Sequence, residues 1–207
     1  MKEILGPKLI TISIKKFICI PSLAVSIILT LLICTAHVSY QIIDVKAISS
    51  QTINSTFVSE RILEGNLLIN KSKYEDAIKS YDQALKIDAK SVEALNGNGL
   101  AFNNLGRYQD AINWFDKALI IEPTFVNALN NKGVALANLD KFEEAITLFD
   151  KAIKIDPNFV DALYNKGGAL AELGKYDEAA MWTNKALEID KTRQNASNSK
   201  TLLLPND

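Results

Sequence analysis

Residues 95–123 read LNGNGLAFNNLGRYQDAINWFDKALIIEP, and this stretch decides the fold. Tyr108, Ala111 and Phe115 follow one another at spacings of three and four residues, which places them on one face of a helix. Gly106 lies between this face and an earlier apolar stripe, and a glycine just past a helix end can take the left-handed conformation that closes the helix. The stretch therefore predicts two helices joined by a tight turn.

The same pattern recurs along the chain at a fixed step of 34 residues. The positions that keep the step are glycines, aromatic residues and alanines: Gly65, Gly99, Gly133 and Gly167; Tyr74, Tyr108, Phe142 and Tyr176; Ala77, Ala111, Ala145 and Ala179; Ala84, Ala118, Ala152 and Ala186. Pro123 and Pro157 close the second and third copies, where they stop a helix. The units bounded in this way are 58–91, 92–125, 126–159 and 160–193. A helix pair of this length buries its apolar face only by stacking on neighbours.

This pattern resembles the tetratricopeptide repeat, whose motif has glycine, aromatic residues, alanines and proline at these offsets. The resemblance implies an all-α fold, a right-handed α-solenoid of four tandem 34-residue helix-turn-helix repeats. The first copy departs from the motif, because Arg61 stands where Leu95, Leu129 and Leu163 stand in the others. Terminal copies are often atypical, since one side meets solvent.

A segment without Asp, Glu, Lys or Arg runs from Phe17 to Ile43, ahead of the repeats. Its apolar part, residues 17–38, is long enough to cross a bilayer of roughly 30 Å. Four lysines against Glu3 give residues 1–16 a net side-chain charge of +3, which favours a cytoplasmic N-terminal tail. We therefore expect a single-pass membrane anchor with the repeats on the extracytoplasmic side. A cleaved signal peptide and a secreted product are the alternative.

Two further segments flank the repeats. Residues 39–57 are rich in Ser, Thr, Asn, Gln and Ile, and we expect a polar tether there. Residues 194–207 are polar until three leucines near the end, and we expect a flexible tail. The tail lacks an obvious amphipathic helix to seal the last repeat, so homo-oligomer formation through the C-terminal repeat is a further expectation.

The composition of the repeats argues against several classes of function. Residues 58–193 carry 17 Lys and Arg against 21 Asp and Glu, a net charge of −4, which opposes nucleic-acid binding. Cys19 and Cys34 both lie in the apolar segment, and the one histidine, His37, lies at its end. We therefore expect no enzyme activity, no metal site and no cofactor.

In the family that the sequence resembles, the first helices of the repeats line a concave groove that binds peptides. Transferring the groove positions selects these candidates for peptide binding: Asn66, Glu93, Asn96, Asn103, Asn127, Asn130, Asn131, Asp161, Tyr164 and Asn165. An asparagine amide offers two donors and an acceptor, so it can hold the backbone of an extended peptide whatever its side chains are. The alternative is that these asparagines are polar residues tolerated on a solvated helix face.

The charges of the groove positions predict its preference. Glu93 and Asp161 would repel a carboxylate, while Lys132 and Lys166 fall one position past the groove asparagines. This argues against a groove that grips a C-terminal carboxylate and predicts a preference for neutral or basic extended segments. The interpretation is a membrane-tethered scaffold that binds a protein or extended peptide to support assembly of a complex. A self-associating structural array and an accessory subunit of a membrane enzyme are the alternatives.

Overall fold

The computed structural model describes the backbone of residues 52–202 and the side chains of residues 52–194. Within the described backbone the chain is entirely helical, with no β-strand. The helices are α1 (52–70), α2 (Tyr74–Ile87), α3 (Val92–Asn104), α4 (Tyr108–Ile121), α5 (Val126–Ala137), α6 (Phe142–Ile155), α7 (Val160–Glu172) and α8 (Tyr176–Leu202). Each predicted repeat is one pair of helices, so the expected all-α array of four helix pairs is confirmed.

The ends of the array differ from the sequence prediction. Helix α1 already includes residues 52–57, which were assigned to the tether, and Arg61 lies 5.2 Å from the ring centroid of Phe57 one turn away. Helix α8 runs through Leu202, past the predicted start of a flexible tail at residue 194. The reason is visible in the sequence, because Lys191 occupies the place at which Pro123 and Pro157 follow the inner helices.

The predicted N-terminal tail, the apolar segment 17–38 and the tether up to residue 51 lie outside the described residues. Among the helices that the structure does describe, none combines the length and the apolar composition needed to cross a bilayer.

A left-handed residue joins the two helices of every repeat. Gly106 and Gly174 have φ of 73° and 74°, so the left-handed conformation predicted for Gly106 is confirmed. Ser72 and Asp140 occupy the same place in the first and third repeats, with φ of 55° and 58°. The following N–H donates back across the turn in each case, as in Arg107 N to the Phe102 carbonyl oxygen at 2.9 Å. This closes the first helix and reverses the chain within three residues, or four in the third repeat.

The helices stack in two layers. Consecutive helices from α2 to α8 pack against each other, and α3 packs on α5 and α5 on α7. Among the described helices, α4, α6 and α8 make no such contacts with one another. The first helices of the repeats are therefore closer together than the second helices, so the first helices line the inner, concave side.

The core runs along the contact between the two layers. Tyr81, Phe115 and Phe149 are fully buried, and so are the alanines that share their helices. Gly99 shows why the motif needs glycine: a Cβ at this position would overlap the ring of Phe115. The close approach of the two helices therefore depends on a missing side chain on one helix and an aromatic ring on the other.

Candidate functional site

A chain of asparagine side chains crosses the concave side of the array. Asn165 on α7 donates through Nδ2 to Oδ1 of Asn130 on α5 at 2.9 Å. Asn130 donates to Oδ1 of its neighbour Asn131 at 3.3 Å, and Asn131 donates to Oδ1 of Asn96 on α3 at 3.1 Å. We call these four residues the asparagine chain. It links three successive repeats through side chains alone.

The asparagine chain keeps hydrogen-bonding capacity for a ligand. Each amide has two N–H donors, and the bonds within the chain use one donor each from Asn165, Asn130 and Asn131. Asn130 is buried, whereas Asn96, Asn131 and Asn165 are partly exposed. The mutual bonds fix the orientation of the amides before any partner binds, which lowers the entropy lost on binding.

The chain of amides ends at Asn96 because the first repeat is packed differently. The position equivalent to Asn131 and Asn165 in the second repeat is Gly97, and a Cβ there would overlap the ring of Tyr81. The Tyr81 hydroxyl donates to Oδ1 of Asn66 at 2.8 Å, a bond that the equivalent Phe115 cannot make. Burial raises the pKa of Tyr81 to about 12. A phenol bonded to Asn66 therefore takes the place that amides occupy further along.

A cleft of about 510 Å³ opens beside Asn165, between α5 and α7. Its lining is Val134, Ala137, Asn138, Asp140, Phe142, Phe149, Tyr164, Asn165, Gly168, Ala169 and Glu172. Val134, Ala137, Phe142, Phe149 and Ala169 contribute apolar side chains to this lining, and its charged groups are the two carboxylates, Asp140 and Glu172. A cleft with this lining can accept an aliphatic chain that ends in a cation.

Tyr164 separates this cleft from a second one. The second cleft, of about 380 Å³, is lined by Tyr164, Gly167, Gly168, Ala171, Ala179, Ala180, Thr183 and Asn184. The Tyr164 side chain is 57% exposed, and a Cβ on Gly168 would have no atom within 4 Å. Gly168 also lines both clefts, so a side chain at this position would project into open space beside them.

The lysines next to the groove positions turn towards the preceding repeat. Lys132 Nζ lies 2.5 Å from Oδ1 of Asp116, and Lys166 Nζ lies 2.5 Å from Oδ1 of Asp150. Each pair joins a first helix to the second helix of the repeat before it. The two clefts have no Lys or Arg in their lining. The two ammonium groups are therefore bonded within the array and lie outside the lining of both clefts.

The structure separates the other predicted site residues from this centre. Asn103 accepts a bond of 3.5 Å from Asn138, and Glu93 accepts one of 3.4 Å from the Ser91 hydroxyl. Asn127 and Asp161 are exposed near the starts of α5 and α7, outside the asparagine chain and both clefts. The predicted residues thus form one connected group, Asn96, Asn130, Asn131 and Asn165 with Tyr164 beside it, and several isolated ones.

Sequence reasoning missed part of the cleft wall. Asn138, Asp140, Phe142 and Glu172 lie at or beyond the ends of their helices, where the groove positions of a regular repeat do not extend. A usable signal existed in Asn138, because it follows Asn103 by 35 residues, the same interval that separates the bonded pairs of the asparagine chain.

Family models of the tetratricopeptide repeat match residues 62–124, 126–159 and 148–180. Together these matches cover more than half of the chain. No curated protein sequence matches it.

Solved structures share the fold. A crystal structure of MamA is 26% identical over 67% of this chain and 81% of that chain, with a TM-score of 0.58. MamA 41-end from Desulfovibrio magneticus RS-1 is 20% identical over 65% of this chain and 76% of that chain, with a TM-score of 0.57. A thermophilic protein of the same repeat type in Thermus thermophilus is 19% identical over 65% of this chain and 75% of that chain, with a TM-score of 0.62.

Proposed function

We propose that this chain, which belongs to the tetratricopeptide-repeat family, is a scaffold that holds an extended segment of a partner protein in its concave groove. The observation that carries the proposal is the asparagine chain beside an open cleft. Amides that are already oriented can bond a peptide backbone, while the cleft accepts a side chain of the same peptide. Side-chain contacts in the cleft would then set specificity, and backbone contacts would set register.

The segment that fits this groove is neutral or basic. Asp140 and Glu172 line the larger cleft, and Glu93 and Asp161 lie on the first helices nearby. The neighbouring cations, Lys132 and Lys166, are paired with aspartates of the preceding helices and do not offset these charges inside the cleft. A Lys or Arg side chain can place its aliphatic stem on Val134 and Phe142 and its charge at the carboxylates.

The scaffold acts at a membrane in this proposal, without chemistry of its own. The support is in the sequence: residues 17–38 have the length and composition of a membrane anchor, and the basic residues before them favour an extracytoplasmic position for the repeats. The partner would then be a membrane or external protein. Holding that partner near the membrane supports assembly of a larger complex.

A peptide panel tests the groove directly. The full chain in detergent is titrated with three labelled, extended peptides of equal length that carry lysine, no charge or glutamate at alternate positions. Fluorescence anisotropy should show the lysine peptide binding more tightly than the glutamate peptide by about tenfold, which corresponds to about 1.4 kcal/mol. Equal or tighter binding of the glutamate peptide contradicts the proposal.

Two matched variants locate the binding. Gly168→Leu places a bulky side chain at a position that lines both clefts, and it preserves the helix because leucine is a better helix former than glycine. Gln83→Leu adds the same side chain at an exposed position of α2. Peptide binding should be lost in the first variant and kept in the second. Binding that survives Gly168→Leu would move the site out of the groove.

A further inference from the structure

Large apolar side chains are exposed at both ends of the described array, Leu63 and Leu67 on α1 and Tyr176 and Leu187 on α8. We propose that copies of this protein stack head to tail, with α8 of one copy packing against α1 of the next copy as the second helix of an inner repeat packs against the first helix of the following repeat. The partner at both ends is a second copy of this chain. This inference goes beyond the peptide-binding proposal and does not depend on it.

The outer face of α8 keeps the residues of an internal stacking surface. Leu187 stands in register with Leu85, Leu119 and Ile153, which are partly or fully buried, yet Leu187 is 56% exposed. Tyr176 stands in register with three half-buried aromatic residues and is 71% exposed. These side chains lie uncovered because no fifth repeat follows α8 in the described chain.

The outer face of α1 has the corresponding apolar surface. Leu67 stands in register with Ala101, Ala135 and Ala169, which are all buried, and it is 50% exposed; Ala101 packs with residues of the preceding repeat. Leu63 stands in register with Gly97 and is 60% exposed. A first helix normally packs these positions against the second helix before it. Helix α1 therefore presents a face that matches the missing neighbour of α8.

The sizes of the side chains agree with this pairing. At the first internal junction the large Tyr81 packs on Gly97. By register, Phe115 pairs with Asn131 and Phe149 with Asn165, so a large residue on the second helix always meets a smaller one. At the ends the order is reversed, because the small Thr183 on α8 would meet the large Leu63 on α1. The summed volume is kept, as close packing requires.

Each internal junction has one polar pair between a second helix and the next first helix, and the two ends of the array carry a donor and an acceptor at the same places. Asp82 accepts a bond of 2.9 Å from Asn98, and the same places hold Asp116 with Lys132 and Asp150 with Lys166. At the ends these places are Asn184 on α8 and Glu64 on α1. The amide donor is now on the second helix and the carboxylate acceptor is on the first, so the pair can still bond.

Stacking of this kind joins two different faces, so it is heterologous and leaves a free face at each end. Each added copy continues the groove of the copy before it. The product is an open row of copies, and its length depends on protein concentration. A two-fold symmetric dimer, by contrast, would place α1 against α1 or α8 against α8.

Cross-linking of single-cysteine variants tests the pairing. The full chain in detergent first receives Cys19→Ser and Cys34→Ser, so that only introduced thiols react. Leu63→Cys and Thr183→Cys are then made separately, and circular dichroism checks that both retain the helical content of the parent. A short bis-maleimide should give cross-linked dimers when the two variants are mixed and a ladder of larger species when both changes are in one chain.

The controls separate this arrangement from the others. Leu63→Cys mixed with Gln83→Cys pairs α1 with an exposed position of α2 and should give a dimer yield at least about tenfold lower. Each single variant alone should remain uncross-linked. Equal yields in the control mixture, or no dimer in the test mixture, would overturn the proposal. Efficient cross-linking of either variant with itself would replace head-to-tail stacking with a symmetric contact.

Discussion

The inner repeats and the two ends place the same register positions in different surroundings. Ile153 of the third repeat is buried under α7, whereas its equivalent Leu187 is exposed on α8. Ala101 is buried against the first repeat, whereas its equivalent Leu67 is exposed on α1. Whether one of these side chains is buried therefore depends on whether a neighbouring repeat packs against it, and not on the residue type. Each repeat is stabilised by its neighbours, and a terminal repeat has only one.

The largest difference in stability should be between replacing an inner aromatic residue and replacing its equivalent in the last repeat. Phe149 is fully buried, so Phe149→Ala should lower the free energy of unfolding by about 3–5 kcal/mol. Thr183 holds the same place in the last repeat with a smaller side chain, and Thr183→Ala should cost less than about 1 kcal/mol. Denaturant unfolding followed by circular dichroism measures both. Equal losses would mean that the last junction is packed as tightly as the inner ones.

The ion pairs between repeats should show a smaller difference of the same kind. The Lys166 side chain is more deeply buried than that of Lys132, and its ammonium lies 3.7 Å from the centroid of the Trp182 ring. Asp150→Ala should therefore lower the free energy of unfolding by about 2 kcal/mol, and Asp116→Ala by less. Adding Lys166→Met to Asp150→Ala should recover most of the loss in the same unfolding assay. No recovery would show that the loss does not come from an unpaired cation.

The first repeat should differ from the inner ones in its response to alkali. Burial raises the pKa of Tyr81 from 10.0 to about 12, so the folded protein holds this proton more tightly than the unfolded chain does. The resulting stability is fully present below pH 10.0 and is lost as the pH rises through about 12. Melting temperatures measured across this window should fall less steeply for Tyr81→Phe than for the parent. An equally steep fall of the melting temperature in both proteins would contradict the raised pKa of Tyr81.

The smallest effects should come from the left-handed turn positions. Gly106→Ala should lower the free energy of unfolding by about 1 kcal/mol, because alanine is strained at a φ of 73°. Ser72→Gly should raise it by up to about 1 kcal/mol, because serine carries that strain at the equivalent place in the first repeat. Thermal unfolding measures both changes. A lower free energy of unfolding for Gly106→Ala together with a higher one for Ser72→Gly would support the prediction. A lower value for both variants would show that the Ser72 side chain has a stabilising role.

Much of the fold could be predicted because the repeat applies the same local rules four times. The spacing of Tyr108, Ala111 and Phe115 indicates a buried helix face, and Gly106 indicates the turn before it. The left-handed Ser72 and Asp140 could not be predicted this way, since the pairing of neighbouring helices holds them in a conformation that their own preferences disfavour.

The candidate site could be predicted only in part. Position in the repeat selected Asn96, Asn131 and Asn165, but it did not show that their amides bond one another. The bonded partners are 35 residues apart and not 34, because a side chain meets the neighbour that the packing offset of adjacent helices brings close. The acidic wall of the cleft has a similar cause, since Asp140 reaches it from the turn after α5 and Glu172 from the end of α7.

The sequence by itself determined the period, the helix pairs, the buried faces and the absence of His and Cys from the repeats, because these depend on composition and spacing along one chain. Only the tertiary structure decided which polar groups meet. It turned Lys166 towards Asp150, joined the asparagines into one chain and left Leu67 and Leu187 uncovered at the ends. The physical reason is that hydrogen bonds and burial depend on distances between helices, and stacking of the repeats sets those distances.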